Sequence, residues 1–105
     1  MSLKLENKEK LKQISNDLDE IVCVIDKISS GFENTEDMAL ALVLFLKEKN
    51  ILNKLSYIRK LIGENLSKRM SNSEYNIWIE RDTSFWSPPY GMSKNELIEK
   101  IKTQE

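Results

Sequence analysis

Residues 11–28 read LKQISNDLDEIVCVIDKI, and their spacing decides the fold. Leu11, Ile14, Leu18, Ile21, Ile25 and Ile28 recur at steps of 3, 4, 3, 4 and 3. That alternation is the a/d seam of a helix that packs against other helices. Val22 and Val24 widen the apolar surface, so deeper burial is expected in the second half of this helix. Ser29, Ser30 and Gly31 end the pattern, with Gly31 available for a left-handed C-cap. The seam covers under three heptads, too few for a long free-standing coiled coil. Cys23, the only cysteine, sits between Val22 and Val24 with no histidine anywhere in the chain, and reads as an inert core thiol.

Outward from that seam, Met1 to Lys12 alternates charge with leucine and has no apolar core segment, so it does not read as a secretory signal. On the other side, Asn34 or Thr35 can cap a second helix, and Glu36 and Asp37 suit its positive end. Its body, Met38 to Leu46 (MALALVLFL), is apolar on every side and rich in Ala, Leu and Met. That composition favours helix over strand and predicts a central helix with neighbours all round. Nine residues of helix rise only about 14 Å, less than half of a bilayer core, so a membrane span is not expected.

Ile51, Leu55, Ile58, Ile62 and Leu66 fall at steps of 4, 3, 4 and 4 and predict a third helix over about 50–70, antiparallel to the second. Lys47 to Asn50 holds neither Pro nor Gly, so the second and third helices can be separate or one bent helix. Gly63 costs about 1 kcal/mol relative to Ala unless a neighbour approaches closely there. Past Ser71 the composition changes. Tyr75 to Tyr90 holds five of the eight aromatics (Tyr75, Trp78, Phe85, Trp86 and Tyr90) and both prolines. Glu74 to Asp82 fits a short helix capped by Ser73, while Tyr75, Ile77 and Ile79 alternate like a strand. Trp86 to Gly91 is extended or turning, because proline fixes φ and keeps its predecessor out of the α region. Ser93 with Glu96 spells a capping box for a last helix through Leu97, Ile98 and Ile101.

The fold expected is therefore all-α: a small antiparallel bundle of about four helices, with an aromatic and proline-rich connection before the last, short one. A single domain over 1–105 would hold a three-helix core (1–72), the connection (73–92) and the C-terminal helix (93–105). Three glycines and two prolines leave little material for the turns of a β-sandwich or barrel. The 16 bases and 17 acids give a net charge of −1, which argues against nucleic acid as partner. A lone cysteine and no apolar leader point to a reducing, bacterial-type cytoplasm.

The charge is uneven. Residues 16–37 hold seven acids and one base, a net of −6, and residues 47–69 hold seven bases and two acids, a net of +5. Complementary faces of one bundle explain this most simply, each exposed pair contributing under about 1 kcal/mol. The alternative is a nucleic-acid surface made by Lys47, Lys54, Arg59, Lys60, Lys68 and Arg69.

Reactive chemistry is thin. With no histidine, no Gly-rich phosphate loop and no activated cysteine, no catalytic residue, metal ligand or cofactor site is assigned. The pairs Asp17/Glu20 and Glu33/Glu36 have the spacing used by carboxylate-metal all-α hydrolases, but the third helix offers only Glu64 as a matching ligand. What remains is protein binding without catalysis. Trp78, Trp86, Pro88, Pro89 and Tyr90 are the candidate partner contacts, since Trp and Tyr bring large area at low entropy cost and Pro-Pro pre-orders it. Phe85 and Trp86 can instead lid one end of the bundle. The seam residues Leu11, Ile14, Leu18 and Ile21 are the candidate face for a homodimer. Small cytoplasmic immunity proteins, antitoxins and phage accessory proteins share this size and helicity, an analogy of fold class alone.

Overall fold

A computed structural model describes residues 2–81 and 84–104, with side chains from residue 8 onward. Met1 and Asp82, which the sequence reading touches, lie outside the described residues. The protein is all-α, a small helical bundle with the order α1 (Ser2–Gly31), α2 (Thr35–Glu48), α3 (Ile51–Arg69), α4 (Asn72–Ile79) and α5 (Lys94–Lys102). It divides into two compact units, Met1–Ser71 and Asn72–Glu105. Residues 38–46 and 75–79, each of which a strand could have claimed, are helical.

In the first unit the chain reverses after Gly31 through a three-residue link. Asn34 closes it: its side-chain oxygen accepts from the Asp37 backbone N–H at 2.8 Å and its carbonyl from Met38 N–H at 3.2 Å. Ile21 of α1, Phe45 of α2 and Ile51 of α3 form the core cluster, with Val24 and Ile28 packed against it. Ile51 is the most deeply buried, at 1% exposure. Burial therefore does concentrate in the second half of α1.

The second and third helices are separate, divided by Lys49 and Asn50. Asn50 takes φ 50° and ψ 48°, and its N–H donates to the Lys47 carbonyl at 3.3 Å. This is the left-handed end that asparagine tolerates better than most residues. The Asn50 carbonyl at once accepts from Lys54 N–H at 3.1 Å, opening α3. The break bends the path without reversing it. Phe45 and Ile51 meet Ile21 two-thirds of the way along α1, while Leu61, Ile62 and Leu66 share a groove with Leu11 and Ile14. Both α2 and α3 thus run antiparallel to α1, one after the other, and α3 is not antiparallel to α2 as the sequence suggested.

Two further expectations are corrected. The second helix is not central: Phe45 is its one buried residue among those described, and Leu40, Val43, Leu44 and Leu46 are exposed. Cys23 is also exposed. Sequence neighbours on a helix point about 100° apart, so Val22 and Val24 say nothing about what covers Cys23. Gly63 meets no atom within 4 Å of a built Cβ, so close approach does not explain it.

In the second unit α4 runs from Asn72, where a strand reading had also been open. The Ser93–Glu96 capping box forms as spelled: Glu96 N–H donates to Ser93 Oγ at 3.2 Å, and Ser93 N–H to Glu96 Oε1 at 3.4 Å. Between the helices, Met92 N–H donates to the Pro89 carbonyl at 3.3 Å across a turn in which Gly91 takes φ 84°. A type II turn needs that positive φ at its third residue, which is why glycine stands there.

Candidate functional site

Apolar surface without cover is the distinctive feature of the first unit. On α1, Ile14, Ile21, Val24 and Ile28 turn inward, while Leu11, Leu18, Val22 and Ile25 stand exposed beside them. On α3, Ile51 and Ile58 are buried, while Leu52, Leu55 and Ile62 are exposed. Leu11, Ile14, Leu61, Ile62 and Leu66 line one groove of about 310 Å³, bordered by Lys10 and Arg69. The proposed homodimer face therefore splits. Ile21 belongs to the core and Ile14 is half-buried, which leaves Leu11 and Leu18 available. Periodicity placed these residues on one side of a helix, yet it could not tell which half of a wide stripe its own chain covers.

Glu20 joins the helices at the α2–α3 break. Its carboxylate lies 3.6 Å from Lys49 Nζ and 3.5 Å from Lys54 Nζ. Lys54 is thus half-buried and paired within the fold. The other candidate nucleic-acid residues spread around the helices. Arg59 and Lys60 point about 100° apart, as consecutive helical residues do, and Lys47 stands on α2. They form no single basic stripe.

In the second unit, Trp78 is half-buried within α4. Its ring stacks on Tyr75 with centroids 6.4 Å apart, and the Arg81 guanidinium lies 3.7 Å from its centroid. Arg81 Nη1 also donates to the Trp78 carbonyl at 2.6 Å. The Tyr75 contact follows from the i, i+3 spacing along α4, while Arg81, two residues past its end, reaches the ring through the turn in which its N–H donates to the Trp78 carbonyl. Trp78 is already engaged. Phe85, Trp86 and Tyr90 are 85%, 80% and 86% exposed. Pro88 is exposed and Pro89 half-buried. Trp86 and Pro89 line a shallow groove with Leu97 and Ile101 of α5. The two α5 residues were not singled out from sequence, although their 3.6-period spacing marks an amphipathic helix.

Among the described residues no three His, Cys, Asp or Glu side chains gather to hold a metal ion. Also among them, no buried polar side-chain atom lacks a partner, and no helix is long and apolar enough to cross a membrane. No family model, curated protein or solved structure matches the chain.

Proposed function

We propose that this is a non-enzymatic protein-binding module, acting through apolar helix faces in its first unit and the Phe85–Tyr90 segment in its second. The observation that carries the reading is the uncovered apolar surface. Apolar patches of more than a few hundred Å² on a folded domain mark places where another surface docks. Large aliphatic and aromatic side chains stand exposed from Leu11 to Ile101. Trp86, Pro88, Pro89 and Tyr90 fit the chemistry of an anchor: rigid, flat and amphipathic.

Photo-crosslinking in cells tests the reading. A benzophenone side chain replaces Leu44, Leu55 or Trp86 in turn, with Lys60 on the far side of α3 as control. Covalent adducts with polypeptide, either this chain or another, are expected at the first three positions and not at Lys60. Absence of any polypeptide adduct at all three would overturn it.

A further inference from the structure

The groove between the first part of α1 and the last part of α3 is apolar inside and cationic at its border. Helix α2 packs against the later part of α1, where Phe45 meets Ile21 and Ile51, and no residue of α2 lines this groove. Leu11 faces Ile62 and Leu66 across it, and Ile62 is 54% exposed. Lys10 borders it from α1 and Arg69 from α3, and no lining residue is acidic. Asn65, the remaining polar residue of the lining, donates its side-chain N–H to the Leu61 carbonyl at 2.8 Å.

Elsewhere in the unit the basic excess is met from within the chain, since Glu20 pairs with both Lys49 and Lys54. At the groove it is not. Among the described residues neither Lys10 nor Arg69 has an ion-pair partner. Arg69, in the last turn of α3, suits the negative end of its helix. Lys10 stands nearer the positive end of α1 and gains nothing of the kind.

We infer that the groove receives an amphipathic helix of another protein, with aliphatic side chains in the groove and Asp or Glu beside them, facing Lys10 and Arg69. The inference rests on the protein-binding reading and gives its partner a chemistry. Charge complementarity selects the acids: two unpaired cations beside an apolar floor attract a carboxylate-flanked stripe and repel a basic one. Length selects the helix. Residues 61–69 of α3 rise about 12 Å, and aliphatic anchors at i, i+3 or i+4, and i+7 of a partner helix span about 10 Å. A trough between two helices is the shape into which such a row of anchors fits.

A benzophenone side chain at Ile62, cross-linked in cells, gives the first test. The adduct is expected to join a different polypeptide through a segment with that apolar spacing and a net negative charge, read by mass spectrometry. The joined segment, made as a peptide, then titrates the purified full chain. Lys10→Glu with Arg69→Glu, both on exposed side chains, should raise its Kd about tenfold, and Lys10→Arg with Arg69→Lys should leave it within about twofold. On the unaltered chain, raising salt from about 0.05 to 0.5 M should weaken binding as well, which checks the charge without any variant. An adduct with this chain itself, or with a basic segment, overturns the proposal, and so does a Kd that neither charge reversal nor salt moves. If Ile62 yields no adduct while Leu44 or Trp86 still cross-links to polypeptide, the groove is not a docking site and the binding-module reading stands without it. If none of the three yields one, both fail.

Discussion

Cys23 shows most clearly what a residue's sequence neighbours do and do not say. Two valines flank it, yet on a helix the side chains that share its face are three and four positions away: Asp19, Glu20, Asp26 and Lys27. Its polar company was in the sequence, at helical spacing, and exposure follows from it. Two outcomes are expected. Cys23→Ser should change stability by less than about 0.5 kcal/mol, as for other exposed sites. In the native protein, the thiol should react with a disulfide reagent at a rate close to that in denaturant. Strong protection measured by absorbance would place the thiol under cover. Asn50 teaches the complementary lesson. One left-handed residue, with neither glycine nor proline present, divides fourteen residues of α2 from nineteen of α3.

At the scale of elements, helix type and ends were legible because they depend on local chemistry. The Asn34 cap, the stop at Gly31 and the Ser93–Glu96 box appear where the letters put them, whereas α4 starts at Asn72, ahead of the expected Ser73 cap, and Gly31 ends α1 without a left-handed φ. Burial was less legible. An all-apolar helix states that it prefers cover on every side, without stating that its own chain supplies it. Phe45 has that cover and Leu44 does not. Phe45→Ala should therefore destabilise the fold by about 3–5 kcal/mol, and Leu44→Ala by less than about 1 kcal/mol, in chemical denaturation. Equal losses at both positions would mean that the outer side of α2 is packed as well. For the aromatic segment the letters leave contact and cover both open, because a linker's composition does not fix where the chain around it runs.

For the whole molecule, four apolar side chains are buried among the described residues: Ile21, Phe45, Ile51 and Ile58. That is a small core for a chain of 105 residues. Where a partner, this chain or another, covers the exposed apolar faces, folding and association become linked, and the native state gains stability by mass action. The most direct measurement is photo-crosslinking in cells at Leu44, Leu55 and Trp86, read against Lys60. Adducts with polypeptide at the first three positions and none at Lys60 are expected. No polypeptide adduct at any of the three would mean that these faces stay bare.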